Sequence, residues 1–209
     1  RDGNPMDDHG HGTHVAGTAA AVGNNSTGVV GVSWNARIMA IKILDARGVG
    51  YTSDAVKGIT YALDKGARIL NNSYGGYSYD AALLSAIQTA NNAGALFVAA
   101  AGNDGSNNDV QPLYPASHNV PNVLAVEATD RNDNRAWFSN YGYGSVHLGA
   151  PGVDILSTVP TTGDACCVDP SGYKRLQGTS MATPHVAGAA ALLLAQNPGR
   201  TAGELKGIL

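Results

Sequence analysis

The sequence predicts an α/β fold built on a parallel β-sheet. Short apolar segments with the length of buried strands alternate with amphipathic segments that have the length of helices. This alternation is typical of βαβ units, in which right-handed crossovers return each strand to the same sheet. The 209 residues are 44% hydrophobic and include 27 glycines, which indicates one globular domain with many tight turns.

The first half of the chain supplies two helices and a strand of this pattern. Residues 11–22 are rich in alanine and predict a helix that ends at Gly23. Residues 38–44 are apolar on both faces and predict a central parallel strand. Residues 54–65 carry apolar side chains along one face, which predicts a helix with Ser53 as its N-cap.

The middle of the chain contains two further strands around a second amphipathic helix. Residues 68–73 predict a strand, and Asp80 is expected to cap a helix that ends at Gly94. Residues 95–101 are entirely apolar and predict a buried strand that stops at Gly102. Because the carboxyl ends of parallel strands lie at one edge of the sheet, the residues that follow these two strands are expected to lie close together. Ligands of parallel sheets bind at that edge.

The last part of the chain has weaker strand signals before one strongly apolar helix. Short strands are expected over residues 123–126, 136–139, 146–150 and 154–157. The helix that follows Gly178 is apolar on nearly all sides, so it is expected to be buried. Pro184 fits this helix only if the helix begins close to Ser180, since proline is tolerated near a first turn and not deeper.

Composition excludes some classes of partner. Charged residues make up 14% of the chain, the net charge is −3 and there is no basic cluster, so neither nucleic acid nor a membrane surface is expected as a partner. The adjacent Cys166 and Cys167 are the only cysteines, which excludes a disulfide framework. A strained vicinal disulfide and a reduced pair on a loop are both open, and the reduced pair is favoured.

Three polar residues at predicted turns have the chemistry for amide hydrolysis. Ser180 lies between a glycine-containing turn and a helix start, where free backbone N–H groups point to one place, although an N-cap is an alternative role. His11 at a helix start can act as a base, and Asn103 at a strand end can donate its side-chain amide to an oxyanion. The run of His9, His11 and His14 also permits a zinc site, because closely spaced histidines bind zinc.

Four motifs strengthen the hydrolase interpretation. They are His11-Gly-Thr-His-Val-Ala-Gly17, Ser73-Tyr-Gly-Gly76, Ala99-Ala-Ala-Gly-Asn103 and Gly178-Thr-Ser-Met-Ala-Thr-Pro-His-Val-Ala-Gly188. With these motifs in this order, the chain resembles the subtilase family of serine proteases, in its thermitase and subtilisin branch, over essentially its whole length. The resemblance implies a three-layer, mostly parallel twisted sheet with helices on both faces, and a serine endopeptidase that works through an acyl-enzyme.

The resemblance also assigns roles to the candidate residues. His11 would be the general base, Ser180 the nucleophile, and Asn103 an oxyanion donor together with the backbone N–H of Ser180. The backbone of a protein or peptide substrate would lie as an added strand between two segments, with Leu113 at the side-chain pocket. Those segments are Ser73, Tyr74 and Gly75 on one side and Gly48, Val49 and Gly50 on the other. Such main-chain pairing implies broad specificity.

Structural Ca²⁺ is the cofactor that the resemblance implies, because two of the family's calcium sites match in part. Oxygen ligands are the donors that Ca²⁺ prefers. The first set of matching positions is Val22, Asn25, Thr27 and Val29, and the second is Asp2, Asn4 and Met6.

One expected motif is missing. The catalytic Asp of the family precedes the histidine motif in chain order and lies in an Asp-Ser/Thr-Gly motif, which this sequence lacks. Asp7 and Asp8 are too close in sequence to His11 to take its place. The expectation is a single subtilisin-like domain over residues 1–209, truncated at both ends, without the N-terminal strand that carries the Asp and without the C-terminal helices. Such a chain is predicted to be nearly inactive alone.

The resemblance further implies a secreted monomer whose partners are its substrates and its own pro-segment. Two alternative functions stay open. A non-catalytic protein of the same fold would bind peptides without cleaving them, although the intact His11, Asn103 and Ser180 argue against it. A zinc hydrolase would use His9, His11 and His14, and it leaves Ser180 and Asn103 unexplained.

Overall fold

The computed structural model describes residues 4–163 and 165–209, and its regular elements alternate as the sequence predicts. The helices are α1 (His11–Ala20), α2 (Thr52–Asp64), α3 (Ala81–Asn92), α4 (Thr179–Gln196) and α5 (Ala202–Ile208). The strands are β1 (Ile69–Asn72), β2 (Leu96–Ala100), β3 (Val123–Thr129), β4 (Leu148–Pro151), β5 (Ile155–Thr158) and β6 (Tyr173–Leu176).

A parallel sheet forms the centre of the molecule. Its strand order is β1-β2-β3-β4, and every pairing within it is parallel. Val98 at the middle of β2 lies opposite Asn71 of β1 and Leu124 of β3. β5 and β6 form a separate antiparallel pair. The α/β class and the mostly parallel sheet are therefore confirmed.

The two faces of the sheet bury two hydrophobic cores. Alternate residues of β2 divide between them: Phe97 and Ala99 pack toward α2 and α3, whereas Leu96 and Val98 pack toward α4 and α5. All residues of β2 are buried, which explains why this segment is apolar without alternation. The helices on both faces confirm the three-layer arrangement. In the described part of the chain, no helix is both long enough and apolar enough to cross a membrane.

Several predicted elements differ from the structure. Residues 38–44 do not form a strand; Ile41 and Ile43 pack against the core beside α2, where a Cβ on Gly58 would touch both of them. Ile38 and Met39 are exposed, and Ile41 and Ile43 are only partly buried, so the apolar pattern exists here without the hydrogen-bonded partner that a strand requires. Residues 136–139 form a turn, and α2 begins after Tyr51 without a side-chain cap, so the predictions of a strand and of capping by Ser53 were wrong.

The connections place several polar residues at one edge of the sheet. Ser73 follows β1, Gly102 and Asn103 follow β2, and α4 begins close to both of these connections. α1 packs against α4, and a Cβ on Gly188 would lie 3.0 Å from the carbonyl oxygen of Ala19. The glycine lets the two helices approach closely, which holds them in a fixed relation at this edge.

Candidate active site

The first turn of α4 presents Ser180. Gly178 is the N-cap residue with φ of 145°, a conformation that favours glycine, and the helix begins at Thr179. Pro184 lies one turn further on and has no N–H, so it cannot donate to the carbonyl of Ser180, four residues earlier. The Ser73 hydroxyl donates to that carbonyl instead, at 3.0 Å. The prediction that the helix begins next to Ser180 is confirmed.

A reciprocal contact holds the Ser180 hydroxyl at the sheet edge. Ser180 Oγ donates to the carbonyl oxygen of Ser73 at 3.3 Å, while Ser73 Oγ donates to the carbonyl oxygen of Ser180. Ser180 is half-buried, so its hydroxyl remains accessible from one side. The pair therefore fixes the start of α4 against the end of β1.

Asn103 is oriented by Thr179. Asn103 Oδ1 accepts hydrogen bonds from the backbone N–H of Thr179 at 2.8 Å and from its hydroxyl at 3.0 Å. The same hydroxyl accepts from the N–H of Gly102 at 3.2 Å, and Thr179 is fully buried. Because Oδ1 is occupied by two donors, the Nδ2 group of Asn103 is left to donate elsewhere. Asn103 lines an open cavity of about 220 Å³ together with Gly178, beside Ser180.

Asp7 organises the start of α1, where His11 is the first residue. Its carboxylate accepts hydrogen bonds from the N–H groups of Gly10 and Thr13, at 2.8 and 2.7 Å, and from the Thr13 hydroxyl at 2.7 Å. Burial raises the pKa of the Asp7 carboxyl, but these hydrogen bonds and one from the His9 N–H outweigh it and lower the pKa overall. Asp7 therefore serves the helix start, in agreement with its exclusion from the catalytic set.

The surroundings of the His11 imidazole lower its pKa and so favour its neutral form. Burial lowers its pKa, the nearby His9 and His14 lower it further, and the Asp7 carboxylate opposes them. The His9 ring is its edge-on neighbour, with centroids 6.2 Å apart. Within residues 4–163 and 165–209, no carboxylate is hydrogen-bonded to the His11 ring. A neutral imidazole can accept a proton, but the structure shows nothing that orients it.

His14 does not join His9 and His11. It is fully buried, and its Nε2 lies 3.0 Å from the carbonyl oxygen of Ile155 and 3.1 Å from that of Lys174. The three histidines do not bring their ligand atoms together among the described residues, so the structure does not assemble the zinc site predicted for them. Among the described residues, the ligand atoms that do converge belong to His9, Cys166 and Cys167.

One predicted substrate segment lies against Leu113. A Cβ on Gly75 would overlap the Leu113 side chain, and a Cβ on Gly102 would lie 2.9 Å from Leu113 Cδ1. Gly76 exchanges two backbone hydrogen bonds with Tyr114, each of 2.8 Å. Leu113 is buried between the turns that follow β1 and β2. Ser73, Tyr74, Gly75 and Leu113 are therefore neighbours in the fold.

The other predicted segment closes on itself. Val49 accepts from the Asp45 N–H at 2.8 Å and donates to Asp45 Oδ1 at 3.0 Å, and the Gly48 N–H donates to the carbonyl oxygen of Asp45 at 2.9 Å. Gly50 continues this turn. The backbone groups of Val49 are thus already paired, and sequence reasoning missed this turn because its hydrogen bonds depend on Asp45. A Cβ on Gly48 would lie 3.1 Å from His9 Nε2.

The two predicted calcium sets differ in their surroundings. A single cavity of about 320 Å³ at the end of α1 is lined by the first set, Val22, Asn25, Thr27 and Val29. In the second set, Met6 already accepts from the Lys42 ammonium at 3.1 Å, and Asn4 Oδ1 accepts from the Met6 N–H at 3.0 Å. These two oxygen atoms thus already accept hydrogen bonds from protein donors, and the second calcium set stays a prediction. Asp2 lies outside the described residues.

Comparison with known proteins places this arrangement among the subtilisin-like serine endopeptidases, a class of hydrolases. Residues 1–209 match the subtilase family, peptidase S8, so the chain belongs to that family. It is 46% identical over 205 residues to thermitase of Thermoactinomyces vulgaris, and 47% identical over 205 residues to the thermophilic serine proteinase of Bacillus sp. (strain AK1).

Solved structures agree with this assignment. A cold-adapted subtilisin-like serine proteinase superimposes with a TM-score of 0.85 and 38% identity, covering 100% of this chain and 70% of that one. The match to each of the two relatives above covers 98% of this chain. The chain spans 67% of the thermitase and 47%, about half, of the Bacillus proteinase.

Proposed function

We propose that this protein hydrolyses peptide bonds in proteins and peptides, with Ser180 as nucleophile and His11 as general base. The observation that supports it most is the position of Ser180 in the first turn of α4, beside the oriented amide of Asn103. A hydroxyl next to fixed hydrogen-bond donors is what acyl transfer requires.

The proposed reaction begins with attack by Ser180 Oγ on the carbonyl carbon of the scissile bond. His11 takes the hydroxyl proton, and the backbone N–H of Ser180 and the Nδ2 group of Asn103 donate to the oxyanion. His11 then gives the proton to the leaving amine, and a water molecule hydrolyses the acyl-enzyme by the same steps. Ser180 Oγ must first leave the carbonyl group of Ser73, to which it donates in the structure.

The orienting carboxylate is the missing component. No carboxylate of the described residues hydrogen-bonds to His11, and Asp7 is occupied by the start of α1. In subtilisin, loss of the triad aspartate alone lowers kcat by about 3 × 10⁴-fold, a value measured on that relative. We therefore expect the 209-residue chain alone to turn over substrate at a rate lower by about this factor than a protein that supplies the carboxylate.

Substrate recognition is proposed to use main-chain pairing along Ser73, Tyr74 and Gly75. These residues follow a strand of the central sheet, and Gly75 leaves room for Leu113 beneath it. Pairing through backbone groups tolerates many side chains, which supports an endopeptidase of broad specificity. On the opposite side, Gly50 retains this proposed role more readily than Gly48 and Val49, whose N–H groups both donate to Asp45.

A structural calcium ion is proposed at the first set of ligands only. Val22, Asn25, Thr27 and Val29 line the same cavity, and the amide and backbone carbonyl oxygens of such residues are donors that suit a hard cation. Calcium takes six to eight oxygen ligands, so further donors would have to complete the shell. When bound, the ion would tie the segment after α1 to the rest of the fold. Secretion, a monomeric state and binding of a pro-segment remain proposals that rest on family membership.

Active-site labelling with a fluorophosphonate tests the proposal. We expect an upstream-extended form of the chain that supplies the carboxylate to be labelled at Ser180, as found by peptide mapping, and its Ser180→Ala variant to remain unlabelled. The 209-residue chain should be labelled far more slowly. Absence of label on this folded, extended protein would contradict a hydrolase. It would favour the alternative of a non-catalytic peptide-binding protein, which is supported by the lack of a carboxylate hydrogen bond to His11 among the described residues.

A further inference from the structure

A cluster of three side chains lies beside the start of α1, outside the hydrolytic set. The connection between β5 and β6 brings Cys166 and Cys167 against His9, which is distant in sequence. His9 Nε2 lies 3.3 Å from Cys166 Sγ, and the two sulfur atoms are 2.8 Å apart. The three ligand atoms all lie within 4.8 Å of one another, and both thiols are free.

Close backbone packing builds this cluster. Gly10 follows His9 directly and has φ of 93°, and a Cβ there would overlap the carbonyl oxygen of Cys167. The Lys174 ammonium donates to the carbonyl oxygen of Cys166 at 2.8 Å, which holds the connection from the β6 side. The cysteine pair therefore packs against the residue next to His9, and backbone contacts fix its position.

We propose that His9, Cys166 and Cys167 form a binding site for a soft divalent cation such as Zn²⁺. Two thiol sulfurs and one imidazole nitrogen are the donors that zinc prefers, and they are poor ligands for calcium or magnesium. In a tetrahedral zinc site, bond lengths of about 2.3 Å to sulfur and about 2.0 Å to nitrogen place the ligand atoms roughly 3.5 to 3.8 Å apart.

The observed separations are close to these values. The distance of 3.3 Å from His9 Nε2 to Cys166 Sγ already fits, and the sulfur atoms must separate by about 1 Å for a tetrahedral angle. Cys166 is exposed, so its side chain can turn by this amount, while the buried Cys167 stays in place. Three protein ligands leave one position of a tetrahedral ion for water.

The bound ion would join two parts of the fold. His9 belongs to the segment that leads into α1, and the cysteines belong to the β5–β6 connection, so one ion bridges residues 157 positions apart. Binding to the folded state alone raises the free energy of unfolding by mass action. The inference does not depend on the proposed hydrolysis, because it concerns side chains other than Ser180 and Asn103.

Cobalt binding to the reduced full-length protein tests the site. We expect one Co²⁺ per chain, with the charge-transfer absorption of thiolate–cobalt bonds, and displacement of Co²⁺ by Zn²⁺. The Cys166→Ser and His9→Gln variants should each weaken Zn²⁺ binding by at least about 10-fold, and Cys166→Ser should also reduce the charge-transfer band. The conservative variant Thr162→Ser, in the same connection, should bind normally.

Three results would overturn the proposal. They are Co²⁺ binding without thiolate absorption, unchanged Zn²⁺ affinity in both ligand variants, and a reduced protein with two titratable thiols that binds no ion. Circular dichroism of each variant verifies that it is folded, and both substituted side chains are at least partly exposed, so folding should persist. A Cys166–Cys167 disulfide that resists reduction would be a structural disulfide, and it is a fourth result that would reject the metal site.

Discussion

Replacing Ser73 by alanine tests how the fold compensates for Pro184 near the nucleophile. In an unbroken helix, the N–H of residue 184 would donate to the carbonyl group of Ser180, and proline removes that donor. Ser73 Oγ donates to this carbonyl group at 3.0 Å. The Ser73→Ala change should therefore leave a half-buried carbonyl group of the catalytic turn without a partner.

The expected magnitude follows from the hydrogen bond and its partial burial. An intramolecular hydrogen bond contributes about 1 kcal/mol net, and an unsatisfied buried acceptor costs about 1 to 3 kcal/mol. Because the pair is only partly buried, we expect a loss near the lower end, about 1 kcal/mol in the free energy of unfolding. In a domain of this size that corresponds to a decrease of about 2 to 4 °C in Tm.

A double-mutant cycle with Pro184→Ala isolates the effect. An alanine at this position would restore the N–H donor, so Ser73→Ala should destabilise the Pro184→Ala background by much less than the parent. Ser73 also accepts from Asn71 Nδ2 at 3.0 Å, and this loss is common to both backgrounds and cancels. Urea unfolding of the four proteins supplies the energies, with Ser73→Thr as the variant that keeps a hydroxyl. Equal destabilisation by Ser73→Ala in both backgrounds would refute the interpretation.

Three other predictions concern the oxyanion site, the substrate edge and acid stability. Asn103→Ala should lower kcat for peptide substrates by about 10²- to 10³-fold, the range measured for loss of the oxyanion asparagine in subtilisin, and an unchanged kcat would exclude its role. Gly75→Val should raise KM for peptide substrates more than it lowers kcat, because its Cβ would overlap Leu113; an unchanged KM would place the substrate elsewhere. Burial lowers the pKa of His14 in the folded protein, although hydrogen bonds from its ring to the carbonyl groups of Lys174 and Ile155 partly oppose this. The unfolded chain therefore binds a proton at higher pH than the folded one, so the free energy of unfolding should fall as pH decreases below about 6.5. Chemical denaturation between pH 7.5 and 5.5 measures this, and a free energy independent of pH would contradict it.

The sequence predicts most of the sheet because its strands are buried on both faces. Residues 95–101 are predicted as a strand from apolarity alone, and β2 occupies Leu96–Ala100. The helix capped by Asp80 was also predicted correctly, and its carboxylate accepts from the N–H groups of Ala82 and Leu83. The same reasoning gave a wrong prediction for residues 38–44. This apolar segment packs beside α2 and has the pattern of a strand without the hydrogen bonds of one.

The sequence predicted those candidate residues that lie within recognisable short motifs. Asn103 follows a predicted strand and Ser180 begins a predicted helix, so their placement at the same edge of the sheet follows from the parallel topology. The hydrogen bonds that orient them were not predictable. Thr179 holds Asn103 from 76 residues away, and no pattern within either segment specifies that pair.

The cysteine pair beside His9 illustrates the same limit. In sequence, Cys166 and Cys167 are an isolated dipeptide, and His9 is an ordinary member of a histidine-rich turn. Only the fold brings them together, because Gly10 allows the backbone of Cys167 to approach the residue before His11. An ion bound there would stabilise the turn that presents His11, whereas Ser73 stabilises the turn that presents Ser180. The base and the nucleophile would then be positioned by separate contacts, so variants of Cys166 and Ser73 should have additive effects on stability.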